Sequence, residues 1–358
     1  MPRSYDAGVL SDRLVHALIE EGAVALARPL AERQVQPASL DLRLGETAYR
    51  VRASFLPGEA SVEEKLARYS LHEIDLRRGA VLETGCVYIV PLLESLALPD
   101  DVAAAANPKS STGRLDVFTR VIADRARQFD TVAAGYAGPL YLEVSPRTFP
   151  ILARTGSRLA QLRFRCGEAV LDAAETLALH ESEVLVAGEP SVTSRGIAMS
   201  VDLEGERIGW RAKRHTGLVD VDRPDGHAVA DFWEPLAGDG TLVLDPDQFY
   251  ILVSREAIHV PPDYAAEMVP FDPLVGEFRV HYAGFFDPGF GHGDDGHGAR
   301  AVLEVRSHEV PFILEHGQRV GRLIYERMIE TPQTPYGQGL ASNYQRQGLK
   351  LSKHFRDG

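Results

Sequence analysis

Pro139-Leu140-Tyr141-Leu142-Glu143-Val144 is an apolar run of strand length that carries a single carboxylate, and its core returns as Val302-Leu303-Glu304-Val305 in the second half of the chain. Counting on from the two glutamates, Pro150, Gly156, Arg158, Leu162 and Phe164 fall in register with Pro311, Gly317, Arg319, Leu323 and Tyr325. Upstream, Tyr88-Ile89-Val90, Glu94, Leu98-Pro99, Asp101 and Ala103-Ala104 are matched by Tyr250-Ile251-Leu252, Glu256, Val260-Pro261, Asp263 and Ala265-Ala266. A correspondence held over so many positions identifies a tandem duplication. Short apolar runs at 86–93, 117–122, 140–144 and 159–164 are punctuated by Gly, Pro and Asp, and long helical periodicity is missing, so the repeated domain is mainly β. Before these runs, Ser11-Asp12 followed by Leu14, Val15, Leu18 and Ile19 predicts an N-capped helix ending near Gly22. Alternating Leu40, Leu42 and Leu44 predict a strand with Asp41 and Arg43 on its other face. A Gly-, Pro- and Ser-rich stretch at 183–200 puts the linker near 170–190, giving domains 1–175 and 176–358.

The differences between the two copies point to chemistry. Lys109-Ser110-Ser111-Thr112-Gly113-Arg114 offers two adjacent hydroxyls, a point charge and a planar guanidinium fork, a set suited to phosphate oxygens. Across the repeat, Lys109-Ser110-Ser111 falls on Phe271-Asp272-Pro273 and Arg114 on Gly276, so the second copy keeps its glutamate and has lost the loop. It has instead an aromatic stretch at 280–290 and a polar tail from Tyr336 with no counterpart after the first copy. A carboxylate within an apolar strand is desolvated, which raises its pKa toward the range useful for proton transfer. The bland alternatives are a solvent-facing Glu and an ordinary Ser/Thr/Gly loop.

A formal net charge of −13 argues against a general nucleic-acid or membrane-surface binder, because these need a clustered basic face. An acidic protein binds a polyanion only through a local positive pocket, which makes Lys109 and Arg114 more informative. Cys86 and Cys166 are isolated from each other and support neither a disulfide framework nor a zinc site. With no apolar run near twenty residues and no signal peptide, a cytoplasmic location is expected.

Three stretches together resemble the dCTP deaminases of the dUTPase-like superfamily, in a double-length form. Lys109-Ser110-Ser111-Thr112-Gly113-Arg114 is similar to the family's basic–Ser–Ser–x–x–Arg segment. Tyr141-Leu142-Glu143-Val144 looks like the strand bearing its catalytic Glu. The tail from Tyr336 through Tyr344, Arg346, Gln347 and Gly348 resembles its C-terminal lid. The resemblance implies hydrolytic deamination of dCTP to dUTP and ammonia within each chain's distorted β-barrel or jelly-roll domains, with a few short helices. It implies Glu143 as general acid/base, with Ser110, Ser111 and Arg114 holding the water and phosphates beside Lys109. Ala123 would offer backbone to the base and Asp130 or a backbone group would contact the sugar. Tyr336, Tyr344 and Gln347 would close over a magnesium-bound triphosphate. Asn343 stands where the family usually has a lysine, so Arg346 or Lys350 would supply that charge. Single-domain relatives are trimers, so a homo-oligomer with sites at domain or subunit interfaces is expected, and the resemblance also implies inhibition by dTTP.

Other constellations leave alternatives. His292-Gly293-Asp294-Asp295-Gly296-His297 reads as a small metal site or, more simply, a solvated glycine-rich insertion. His281, on an apolar strand, reads as packed or hydrogen-bonded. Glu304 is either a second catalytic Glu served by groups from elsewhere or a remnant; the loss of partner residues from its own repeat favours the remnant. Asp287 in Phe286-Asp287-Pro288-Gly289 is the carboxylate that a diphosphohydrolase reaction would need, instead of or beside deamination. A non-catalytic nucleotide-binding regulator is the third function considered.

Overall fold

The computed structural model describes residues 6–187, 189–194, 196–270, 278–280, 284–292, 298–307, 309–337 and 348–356. The chain is a mainly β tandem, and the duplication is visible in strand order. In the first half, one sheet runs Thr131–Val132, Val102–Pro108, Arg158–Cys166, Ser39–Arg43, Val35–Gln36. The other runs Val117–Ala123, Ala137–Pro146, Val87–Ala97, Thr47–Val51, Ser70–Asp75. In the second half Tyr264–Pro270, Arg319–Arg327 and Gly196–Ser200 repeat the centre of the first sheet. Phe278–Val280, Ala299–Ser307, Phe249–Ile258, Glu204–Ala212 and Trp233–Asp239 repeat the second sheet, strand for strand.

Five helices decorate this framework among the described residues: α1 (Asp12–Glu20), α2 (Val62–Tyr69), α3 (Ser110–Gly113), α4 (Ala173–Glu183) and α5 (Val229–Phe232). Ser11 caps α1 by accepting from the Leu14 amide, as its sequence position predicts. The stretch expected as linker contains α4, whose Asp172 and Glu175 form a reciprocal capping box. Its buried Thr176 and Leu179 explain why it does not hang free.

The two halves share a core. Between Glu204–Ala212 and Trp233–Asp239 the second half makes an excursion that reaches the first. Val219–Asp220 adds in parallel to Ile151–Ala153, which already pairs with Ala80–Leu82. Phe149 of the first half then meets Phe232, Trp233 and Phe355 edge-on, with ring centres 5.5, 5.4 and 6.3 Å away.

Elsewhere the seam is ionic. Arg163 is fully buried and donates from Nη1 to the Ala266 carbonyl at 3.0 Å and to Glu326 at 3.1 Å, and from Nη2 to the Phe286 carbonyl at 3.2 Å. Arg165 and Glu326 occupy equivalent positions of the two repeats and pair with each other at 2.6 Å. Arg306 crosses the other way to Asp116 and to Thr148, the latter at 2.8 Å. Removing one member of a buried ionic network strands its partners. Arg163→Met is therefore expected to lower unfolding free energy by about 3 kcal/mol, read as a reduced urea midpoint; a midpoint within error of wild type would refute this role for Arg163.

Candidate active site

Lys109 to Arg114, expected as a phosphate-binding loop, forms the single turn α3 with Arg114 as its C-cap. The turn closes through Thr112 N to Lys109 O at 2.8 Å and Arg114 N to Ser110 O at 3.1 Å. Arg114 is buried. Its Nε lies 3.8 Å from Oε1 of Glu304, and its Nη1 donates to the Lys350 carbonyl at 3.0 Å. Glu304 sits in the middle of Ala299–Ser307, opposite Ile251. Burial pushes its carboxyl up to about 7, against the downward pull of Arg114. The structure thus brings the first-half loop to the second-half glutamate, the arrangement in which Glu304 is served by groups from elsewhere.

Glu143, the glutamate expected beside that loop, has different company. It lies opposite Arg120 in the strand register. Arg120 holds Glu143 Oε1 from Nε at 3.0 Å and from Nη2 at 2.6 Å, and also reaches Ser54 Oγ at 2.7 Å. The same guanidinium stands 3.6 Å from the centre of the Phe129 ring. The reason for the difference lies in what covers each sheet face. Tyr141, Ile122 and Ile89, on the Glu143 face, pack under Val62 and Leu66 of α2. Val302 and Ile251, the matching residues around Glu304, join the core shared with the first half.

Asp130 groups with Glu143 rather than with Arg114. Its Oδ1 accepts from the Val121 amide at 2.7 Å, and burial pushes its carboxyl up to about 7, with Arg120 lowering it and Glu143 raising it. Ala123 pairs with Leu140 on the same sheet.

The cationic lining of the Arg114 side is richer than the sequence suggested. Lys109 pairs with Asp41, which Arg158 also approaches at 3.4 Å. Lys353 lies close enough to Lys109 and Arg158 for their charges to depress its pKa, after burial as the larger cause. Asp287 joins this group, with Arg163 Nη2 at 3.6 Å; burial raises its carboxyl while Arg163 and Lys109 oppose the shift. Tyr336 docks on the same turn, its amide donating to Pro288 O at 2.8 Å and its ring 5.8 Å from that of Phe290. Gly289 has φ +93°, and a Cβ there would stand 3.0 Å from Tyr336 O, so this approach requires glycine.

Tyr344, Arg346 and Gln347 lie outside the described residues, as do His281 and His297. His292 contacts His259, Nδ1 to Nε2 at 2.8 Å. Among the described residues no group of three His, Cys, Asp or Glu side chains could hold a metal ion. Arg120, Lys353, Ser352 and His354 were not legible as site residues, since the contacts that tie each of them to the rest of the fold are distant in sequence.

A protonated Asp130 fits its site better than a carboxylate does. Its native pKa lies above the unfolded value, so this group's contribution to stability is present below about pH 4 and is lost as pH rises toward 7. Asp130→Asn keeps the acceptor for Val121 and tolerates φ 60°. It should leave stability near wild type at pH 4 and raise it by on the order of 2 kcal/mol at pH 8; a difference that does not grow with pH, in melts at the two values, would disprove the assignment.

Both halves of the chain match known proteins. Residues 6–168 match the 2'-deoxycytidine 5'-triphosphate deaminase (DCD) N-terminal domain, and residues 172–355 match the C-terminal domain of the same family. The crystal structure of 2'-deoxycytidine 5'-triphosphate deaminase from Agrobacterium tumefaciens is 66% identical, with a TM-score of 0.87 over 91% of this chain and 99% of that one. The "dCTP deaminase, dUMP-forming" of Beutenbergia cavernae is 36% identical over 162 residues, 44% of this chain and 78% of the relative. That of Coprothermobacter proteolyticus is 30% identical over 159 residues, 44% of this chain and 81% of the relative. Matched along both halves and over nearly its whole length, the chain belongs to the 2'-deoxycytidine 5'-triphosphate deaminase family.

Proposed function

We propose that the chain deaminates dCTP to dUTP and ammonia at a composite site, in which the general acid/base is Glu304 rather than Glu143. The observation that carries this is the buried approach of Arg114 to Glu304, two residues from opposite halves. With its carboxyl raised to about 7, Glu304 can both take and return a proton near neutrality. It would accept the proton of the water whose oxygen bonds to C4 of the cytosine. It would then deliver that proton to N3, take the second proton from the new C4 hydroxyl and pass it to the amine, so that the C4–N4 bond breaks, ammonia leaves and C4 becomes a carbonyl. Ser110, Ser111 and Arg114 would hold the water and polarise the attack.

On this proposal the triphosphate lies against Lys109, Arg158 and Lys353, with Tyr336, Tyr344, Arg346 and Gln347 contributing from the tail. Magnesium arrives on the phosphate oxygens as part of the substrate. Glu143, gripped by Arg120, serves structure in the first half. Assembly into a homo-oligomer and inhibition by dTTP complete the proposal and stand on the family resemblance alone.

A second product remains in view because relatives are named dUMP-forming and because Asp287 stands near Lys109 at the same site. Release of pyrophosphate with dUMP would place diphosphohydrolysis beside deamination.

The test is product analysis with dCTP and magnesium for wild type, Glu304→Gln and Glu143→Gln. Wild type should release ammonia, Glu304→Gln should lose about 10²–10⁴-fold in kcat, and Glu143→Gln should keep most of it. Loss confined to Glu143→Gln would return the catalytic role to the first half. In wild type, kcat/KM should fall below about pH 7, because a protonated Glu304 cannot take the water's proton; a flat profile from pH 5 to 8 would exclude Glu304 as the base.

A further inference from the structure

We infer that the C-terminal segment from Leu349 to Arg356 is a positioning strap for α3 and Arg114, with Ser352 and His354 as its working residues. The inference rests on the composite site proposed above and concerns how that site is held in shape. A single helical turn such as α3 has too few internal hydrogen bonds to fix its own geometry. Its Thr112 and Gly113 carbonyls accept from the Leu115 and Asp116 amides, whereas the Ser111 carbonyl takes its donor from outside the turn. Ser352 supplies it: Oγ donates to the Ser111 carbonyl at 2.7 Å from a fully buried position.

Two residues earlier the same segment presents the Lys350 carbonyl to Arg114 Nη1, at 3.0 Å. The planar guanidinium is then held at one edge while its Nε faces Glu304. Arg114 is the charged group that acts on Glu304, so its placement sets both the pKa and the geometry of the proposed acid/base.

The strap is itself anchored at the seam. His354 Nδ1 lies 2.9 Å from Ser352 Oγ, and its Nε2 lies 2.9 Å from the Val221 carbonyl. Burial pushes the His354 pKa down to about 4, with Lys353 and His227 adding to the shift and Asp220 opposing it. As a neutral ring it carries one N–H, on Nε2 toward the Val221 carbonyl or on Nδ1 toward Ser352 Oγ, while the one Ser352 hydroxyl proton goes to the Ser111 carbonyl. Beyond it, Phe355–Arg356 pairs in parallel with His227–Ala228. Asp225 N donates to the Lys353 carbonyl at 2.9 Å. The Phe355 ring lies among Phe149, Phe232 and Trp233. The excursion that ties the second half to the first therefore also clamps the tail. A chain that has not joined its halves cannot present Arg114 correctly.

The test uses the full chain with Ser352→Ala, which removes one oxygen, and Ser352→Thr, which retains the hydroxyl. Ser352→Ala should lower kcat on dCTP on the order of 10–100-fold, the penalty for a misplaced catalytic group. It should also move the acid limb of kcat/KM to higher pH, because Glu304 loses the pull of Arg114; Ser352→Thr should recover toward wild type. A purely structural role would reduce the melting temperature and the active fraction while leaving the limb in place, and that outcome overturns the inference. A crystal structure of Ser352→Ala gives a reading independent of turnover. Arg114 displaced from Lys350 O and Glu304 supports the strap, and an unmoved Arg114 refutes it. Wild type that releases no ammonia would instead sink the proposed activity, with the structural comparison still deciding the strap.

Discussion

Arg114 and Glu304 come from opposite halves of the chain and meet where water is largely excluded. Burying either group by itself would cost several kcal/mol, so each is tolerable only with the other in place. The contact requires that the halves dock in one relative position. Arg163, Arg165 and Glu326, the Arg306–Asp116 pair and the aromatic cluster around Phe149 all serve that docking. At 3.8 Å the pair is loose enough to leave Glu304 with a raised carboxyl pKa rather than a firmly ionised one. That balance suits the proton-transfer role proposed for Glu304.

The two copies differ in what they build around the strand glutamate. Both retain the strand glutamate, yet the first copy spent its corresponding excursion on α2, which covers the Glu143 face within its own half. The second copy sent its excursion outward, where Val219–Asp220 and Phe232 bind the first half. One glutamate was thereby sealed under apolar side chains with a private arginine, and the other was left at the seam. Loss of Lys, Ser and Arg from the second copy's loop is intelligible once the first copy's loop serves the second copy's glutamate.

Net charge and local charge diverge in the same way. The chain as a whole carries −13, yet Lys109, Arg114, Arg158, Arg163 and Lys353 converge around Asp41, Asp287 and Glu304. Acidic groups here hold the cations in fixed positions, so a polyanion entering the site would meet preorganised donors instead of flexible side chains.

By itself the sequence determined the duplication, the mainly β class, the capped first helix and the Lys109 to Arg114 segment, because these are local patterns or patterns repeated in register. It also supplied the residues that carry the family resemblance, and named Glu304 and Asp287 as candidates. It ranked Glu143 ahead of Glu304, because only the first copy keeps the loop within its own repeat; both sit in the same strand motif, and which surface covers each face is set only by folding. The partners of Arg114 at Glu304 and Lys350, and of Ser111 at Ser352, are brought together only by folding. Local pattern encodes which strand a side chain occupies and which way it points; the halves' docking alone decides what it faces.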